Sequence, residues 1–127
     1  SQMIDVIATV RAVKKDFIVL SGDDALTVPL ISVGGDGVIS VVSNLAPAEM
    51  TELTLAALSG DFAKAQKIHY RLMPFFRASN IESNPVPIKG AMNMKGLPSG
   101  ALRLPLCPLM KENEAKVRAA LVESGLL

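Results

Sequence analysis

The sequence predicts an α/β fold in which short parallel strands are followed by a helical region. Two apolar runs, residues 17–20 and 38–42, are rich in β-branched side chains and bounded by turn-forming residues, a pattern typical of buried strands. The segment 25–33 between them has room for one short helix, and a crossover of this kind joins parallel strands. Because neither run alternates apolar with polar residues, we expect both faces of the sheet to be covered.

A helix is predicted before the first strand, in residues 1–15. Its apolar residues recur at helical spacing: Met3, Ile4, Ile7, Val10 and Val13. The helix between the strands is expected to begin at Asp23 or Asp24, whose carboxylate can accept from first-turn amides, and to be short or bent because of Pro29. Residues 34–37, GGDG, follow a helix and precede a strand, so they indicate a helix end and a turn rather than a phosphate-binding loop.

Only helices are predicted after the second strand. Their expected first residues or caps are Pro47, Asp61, Asn84 and Lys111. Pro74 is expected to kink or break the second of these helices, and the proline-rich segment 97–108 is interpreted as a connector. Two parallel strands cannot close a barrel, and as an open sheet they leave both edges unpaired. The sequence therefore reads as the end of a larger α/β protein.

The composition excludes several classes of protein. Half of the 127 residues are hydrophobic, which excludes a disordered chain, yet no apolar segment approaches the ~18–20 residues of a membrane span. The net charge is +1 and the basic residues are scattered, so we expect neither a nucleic-acid partner nor a membrane partner. The single Cys107 and the lack of a signal-peptide pattern favour a cytoplasmic location. A start at Ser1, without methionine, favours a truncated or processed product.

Few residues carry recognisable chemistry. His69 is the only histidine and has no identifiable partners for a metal site or a catalytic triad, so a surface or packing role is favoured. Cys107 lies between prolines without a nearby base, which does not indicate a catalytic thiol. Asp23 and Asp24 stand at the end of a predicted strand, where they fit either a functional loop or a helix cap. Because none of the lysines follows a predicted strand, the chain lacks a candidate nucleophile for carbonyl chemistry.

Four segments, taken together, resemble the dihydrodipicolinate synthase family. They are LSGDD at 20–24, GVISV at 37–41, NPVPIK at 84–89 and LRLPL at 102–106. They come in the family's order, and the resemblance covers essentially the whole chain but only the C-terminal part of a family member. N-acetylneuraminate lyase and its relatives share the barrel but look less similar at the first and third segments.

The resemblance implies the C-terminal part of a (β/α)8 barrel followed by a C-terminal helical extension. Residues 1–58 would run from helix six to helix eight of the barrel, and residues 59–127 would form the extension. The family's Schiff-base lysine, the threonine pair and tyrosine of its proton relay, and its carboxylate-binding arginine would all lie upstream of Ser1. The full-length protein would be a homotetramer, and no cofactor or metal ion is expected.

The resemblance also assigns substrate-binding positions. Ile39 matches the residue whose main-chain carbonyl faces bound pyruvate, Gly22 with Asp23 matches a loop over the substrate, and Asn84 matches an asparagine at the aldehyde end. The family condenses pyruvate with aspartate semialdehyde through a lysine Schiff base in lysine biosynthesis. We expect this chain alone to be inactive without the N-terminal barrel part. The alternatives are a truncated homologue that serves as a non-catalytic partner subunit, and a sister pyruvate aldolase such as N-acetylneuraminate lyase.

Overall fold

The computed structural model describes residues 2–13, 16–98 and 101–127. Helices dominate these ranges, and no helix in them is long and apolar enough to cross a membrane. The elements in chain order are α1 (Gln2–Val13), β1 (Leu20–Ser21), a 3₁₀ turn (Asp24–Leu26), α2 (Thr27–Ser32), β2 (Gly37–Val38), a second 3₁₀ turn (Val42–Asn44), α3 (Pro47–Leu58), α4 (Phe62–Ala78), α5 (Val86–Met94) and α6 (Lys111–Glu123).

The two strands pair in parallel, as predicted, but each is only two residues long. Leu20 lies opposite Gly37 and Ser21 opposite Val38, so most of the runs 17–20 and 38–42 falls outside the ladder. The expectation that both faces are covered is wrong for the described residues, because Phe17, Ile18 and Ile39 are 52%, 66% and 68% exposed. A parallel strand gains its neighbours from further strands, and the described residues contain no third one.

Asp36 fixes the register of this strand pair and ties α1 to it. Its backbone N–H donates to the Val19 carbonyl at 2.8 Å, while its Oδ2 accepts from the Val19 N–H at 2.7 Å. Arg11, near the end of α1, reaches both carboxylate oxygens of Asp36 at 2.7 and 2.9 Å and the Gly34 carbonyl at 2.7 Å. One carboxylate thus joins the first helix, the start of β1 and the turn before β2.

The connection between the strands follows the sequence prediction closely. Asp23 caps it, since its Oδ1 accepts from the Ala25 N–H at 2.8 Å, and the chain then passes through the 3₁₀ turn into α2. With Pro29 inside it, α2 is only six residues long. Gly34 follows the helix at φ +104°, a conformation that favours glycine, which confirms the helix end and turn predicted for residues 34–37.

The helical region matches the predicted boundaries in most places. Pro47 opens α3, Asp61 caps α4 by accepting from the Lys64 N–H at 3.0 Å, and α6 spans the predicted residues. Of the kink or break predicted at Pro74, the break does not occur, because α4 continues through it to Ala78. The buried side chains beside the proline, Leu72, Phe75 and Phe76, anchor both halves of this helix and offset the lost backbone bond. The helix α5 begins two residues later than expected, and the described part of the connector forms neither helix nor strand.

The hydrophobic core lies mainly between α3, α4 and α6. Its most deeply buried large side chains are Leu53, Leu72, Phe75, Phe76, Val117 and Leu121. Val42, in the turn that follows β2, is also fully buried and belongs to the same cluster. The segment after the short sheet is therefore anchored on the helical region, and this places the candidate site.

Candidate functional site

A cavity of about 750 Å³ lies just beyond the end of β2. One wall is the segment from Ile39 to Asn44, and the facing wall is the start of α5 with the residues before it. Pro98 and Ala101 of the connector border the cavity as well. The carboxyl end of a parallel strand is where α/β folds place their sites, so this cavity is the candidate functional site.

Ile39 and Asn84, two of the sequence-predicted site residues, both line this cavity. The Ile39 N–H donates to the Ser21 carbonyl at 2.8 Å, which extends the ladder by one bond and holds its main chain at the cavity edge. Asn84 lies immediately before α5, ahead of a cis peptide bond to Pro85. The fold therefore brings together two positions that are far apart in the sequence.

Gly22 and Asp23 are not among the described residues that line the cavity. Both are exposed, in the loop that leaves β1. A Cβ added at Gly22 would meet no atom within 4 Å, so the loop is open to solvent on that side. The Asp23 carboxylate is engaged in its local cap with Ala25, as described above.

Lys89 and Asp24 also belong to this region, although neither was among the substrate-binding positions assigned from the sequence. Lys89, in the first turns of α5, lines the cavity, and its Nζ donates to the Ala101 carbonyl, which links α5 to the connector. Asp24 is buried and its Oδ2 accepts from the N–H groups of Val41 and Val42, both at 3.1 Å. The sequence showed Asp24 only as one member of an acidic pair. Asp23 makes the local helix cap, and the longer-range contact of Asp24 was not predicted.

Among the described residues that line the cavity there is one cationic side chain and no carboxylate. Of the described residues that line it, Lys89 alone is charged, and the others are apolar or neutral side chains such as Val41, Asn44 and Met92. Across the described part of the chain, no three His, Cys, Asp or Glu side chains come together to hold a metal ion. The site can therefore receive a small anionic molecule, and the chain shows no metal-binding cluster in the ranges described.

The two residues dismissed as catalytic candidates lie elsewhere. His69 is buried in α4, with ring centroids 5.3 Å from Tyr70 and 5.7 Å from Phe76, which confirms a packing role. Burial lowers the pKa of the His69 imidazole below its ordinary value, because the charged form loses its hydration. Cys107 is an exposed free thiol in the connector, and its Sγ lies 3.9 Å from the Pro105 carbonyl.

Sequence comparison finds the same family throughout the chain. The family model described as "Dihydrodipicolinate synthetase family" matches residues 1–124. A 4-hydroxy-tetrahydrodipicolinate synthase of Methanococcus maripaludis is 54% identical over 109 residues, covering 86% of this chain and 38% of the relative. The enzyme of the same name from Protochlamydia amoebophila is 50% identical over 123 residues, covering 97% of this chain and 41% of the relative.

Solved structures agree with the sequence comparison. Dihydrodipicolinate synthase from Thermotoga maritima superposes with a TM-score of 0.94 at 42% identity, over 99% of this chain and 43% of that one. A structure described as the first monomeric dihydrodipicolinate synthase variant gives 0.93 at 42% identity, over 99% of this chain and 42% of that one.

This chain thus spans about two-fifths of the length of the relatives it matches. The likeness confirms the predicted fold class, the C-terminal part of a (β/α)8 barrel followed by helices. It also explains the short, exposed strands, since a barrel strand is covered by neighbours that this chain does not contain. The chain belongs to the dihydrodipicolinate synthetase family.

Proposed function

We propose that this chain supplies two walls of a 4-hydroxy-tetrahydrodipicolinate synthase site. The reaction would condense pyruvate with aspartate semialdehyde through a lysine Schiff base, as a step of lysine biosynthesis through diaminopimelate. The observation that carries the proposal is that Ile39 and Asn84 line one cavity at the carboxyl end of β2. The Ile39 main-chain carbonyl would face pyruvate, and Asn84 would contact the aldehyde substrate.

The charge of the cavity supports these substrates. Both are small carboxylates, and Lys89 is the only charged group among the described lining residues. A cation in a partly apolar cavity attracts an anion more strongly than it would in bulk water. Gly22 and Asp23, which stand outside the cavity, would act as a loop over the bound substrates in the complete barrel.

The covalent step is assigned to a lysine outside this chain. Lys89 leaves α5 rather than a strand end, and its ammonium is engaged with the Ala101 carbonyl. A Schiff-base lysine must be neutral to attack a ketone, which needs surroundings that lower its pKa. The lysine amine of the missing barrel part would attack the pyruvate ketone and release water. Loss of a proton would then give the enamine that attacks the aldehyde.

Borohydride trapping tests this assignment. The chain is fused at Ser1 to the N-terminal part of the Protochlamydia amoebophila relative, and the relative's own full-length enzyme serves as the control. With pyruvate and borohydride, mass spectrometry should find the reduced adduct on the N-terminal part of the fusion. The fusion should also consume aspartate semialdehyde in the presence of pyruvate, whereas the 127-residue chain alone should do neither.

Two results would contradict the proposal. One is an adduct on a lysine of residues 1–127, above all on Lys89. The other is a folded fusion that forms the imine but leaves aspartate semialdehyde unconsumed while the control enzyme turns it over. The second result would keep a pyruvate-binding site and remove the proposed second substrate.

We also propose a homotetramer and a cytoplasmic location for the complete protein. Apolar side chains exposed on α1, among them Ile4 and Val6, give a surface suited to subunit contact. The exposed free thiol of Cys107 fits a reducing compartment. The division at residue 58 into barrel and helical extension belongs to the same proposal. Light scattering on the fusion tests the tetramer, with the monomeric variant noted above as the reference for the opposite outcome.

A further inference from the structure

The carboxylate of Asp24 is buried and bonded to backbone from a distant part of the chain. Asp24 is only 6% exposed, at the start of the 3₁₀ turn that follows β1. Its Oδ2 accepts from the N–H groups of Val41 and Val42, both at 3.1 Å and 17 and 18 residues away in the sequence. This contact joins the segment after β1 to the segment after β2, across the carboxyl edge of the sheet.

A buried carboxylate needs compensation, and here the backbone supplies it. The ion pairs found among the described residues are Arg11–Asp36 and Lys64–Glu52, and neither involves Asp24. The two N–H groups belong to Val41, which directly precedes the turn Val42–Asn44, and to Val42, its first residue, where a helical turn leaves its amides without internal partners. Charge-assisted hydrogen bonds to such amides are about twice as strong as neutral ones. Asp24 therefore caps a turn that lies outside its own element.

The capped segment is a wall of the candidate site. Ile39, Val41 and Asn44 all line the cavity, and the bonded amides of Val41 and Val42 lie between them. From the Ile39 side the segment is held by the bond to the Ser21 carbonyl, and the Val41 side chain packs against the core. From the other side Val42 is anchored in the core. Removing the Asp24 carboxylate would release the middle of this wall without unfolding its ends.

We propose that Asp24 is a positioning residue for the cavity, holding the segment 39–44 so that the Ile39 main chain faces the bound pyruvate. This role rests on the proposed function, and it differs from that of the neighbouring Asp23, whose carboxylate serves its own turn. Asp24 touches no substrate in this assignment. It acts through the backbone of Val41 and Val42.

The geometry of the carboxylate separates two variants. Both amides converge on Oδ2, while Oδ1 is buried with no hydrogen-bond partner among the described residues. Asp24→Asn can therefore keep an oxygen at the Oδ2 position and place its amide nitrogen where Oδ1 stands. Asp24→Ala removes the acceptor and leaves two backbone donors unpaired. The first variant keeps the positioning group, and the second deletes it.

The test measures KM for pyruvate and kcat in the fusion described above. Asp24→Ala should raise the KM for pyruvate by about tenfold or more, with a smaller fall in kcat, because the loss of a charge-assisted contact is worth a decade or more in affinity. Asp24→Asn should stay within about threefold of the parent. The matched control is Asp61→Ala, which deletes a carboxylate that caps a backbone N–H in α4, away from the cavity. It should lower stability and leave the KM for pyruvate unchanged.

Several results would overturn the positioning role. They are a folded Asp24→Ala protein whose KM stays within twofold of the parent, or a rise in KM that Asp61→Ala reproduces. If the Ala variant does not fold, Asp24→Asn decides, and a tenfold rise in its KM would contradict a role that needs only the acceptor.

If the parent fusion is inactive, the proposed function fails first. Amide hydrogen exchange at Val41 and Val42 then tests the tether. Exchange should be faster in Asp24→Ala than in Asp61→Ala, because only the first variant removes the acceptor of these two amides, and equal rates would refute the tether.

Discussion

The helical region and the strand pair are both rich in apolar residues, yet they bury them very differently. Leu53, Leu72 and Phe75, in α3 and α4, are fully buried. Phe17, Ile18 and Ile39, in the two predicted strand runs, are more than half exposed. Apolar content therefore does not by itself determine burial in this chain.

The difference follows from how each element satisfies its backbone. A helix pairs its own N–H and C=O groups, so α3, α4 and α6 need only one another to cover their apolar faces. A strand of a barrel takes both its hydrogen bonds and its side-chain cover from other strands. Two-fifths of a barrel sequence can thus contain a complete helical core beside an incomplete sheet.

The largest expected effect is association of the isolated chain through the strand side. Size-exclusion chromatography with light scattering should show species larger than a monomer, whose mass rises with concentration, together with a helical circular dichroism spectrum. Exposed apolar strand runs with unpaired edges favour such contacts. The variant Ile18→Lys should reduce association, and Leu58→Lys, at an exposed position of α3, should not. A sharp monomer peak at all concentrations, with cooperative unfolding, would show that the strand pair needs no cover.

A pair of leucine truncations should measure the same contrast as unfolding free energies. Leu72 is 0% exposed in α4, and Leu72→Ala should destabilise the chain by about 3 kcal/mol. Leu20 is 43% exposed in β1, so Leu20→Ala should lower the stability by less than about 1 kcal/mol. Urea denaturation followed by circular dichroism gives both values.

The fusion with the N-terminal barrel part sharpens the leucine comparison. There Leu20 gains neighbouring strands, so the loss caused by Leu20→Ala should rise to about 2 kcal/mol or more, while that of Leu72→Ala should not change. Equal losses for Leu20→Ala in the chain and in the fusion would mean that the strands are as well covered alone as in a barrel.

Local chemistry explains which features the sequence could predict. Asp61 caps the helix that begins at the next residue, and Gly125 ends α6 at φ +67°, so both act within a few residues of where they stand. The length of β1 and the exposure of Ile39 depend on strands that lie outside the chain. The role of Asp24 was left open between a functional loop and a helix cap for a related reason, since its partners are 17 and 18 residues away. Periodicity and capping rules do not detect a contact of that range.

Mild acid should first weaken the helical region, through His69. Burial lowers the pKa of His69 below its ordinary 6.5, so the folded state binds its proton less readily than the unfolded state does. Stability should be complete above pH 6.5 and should fall as the pH drops from there towards the pKa of the folded state. His69→Phe keeps an aromatic ring against Tyr70 and Phe76 and should flatten this part of the profile. Parallel profiles for parent and variant would mean that His69 is hydrated in the folded chain.

Stronger acid should release the strand pair, with the smallest effect of the series. The Val19 N–H and the Arg11 guanidinium hold the pKa of Asp36 below its ordinary 3.8. The folded state therefore favours the ionised carboxylate, and its contribution is present above pH 3.8 and lost as the pH falls towards the folded pKa. Because the Asp36 side chain is 34% exposed, solvent screens the pair, and Asp36→Asn at pH 7 should lower the stability by only about 0.5–1 kcal/mol.

The ion pair between Lys64 and Glu52 is the control for Asp36, because it lies on the surface of α3 and α4 and joins no strand. Glu52→Gln should leave the stability at pH 7 unchanged, since both side chains are half exposed. Asp36→Asn should in addition speed amide exchange at Leu20 and Val38, because the Asp36 carboxylate holds the Val19 end of the ladder. Glu52→Gln should leave the exchange rates of those two amides unchanged. Equal exchange rates in the two variants would show that backbone hydrogen bonds alone hold the two-residue ladder together, without a contribution from the Asp36 carboxylate.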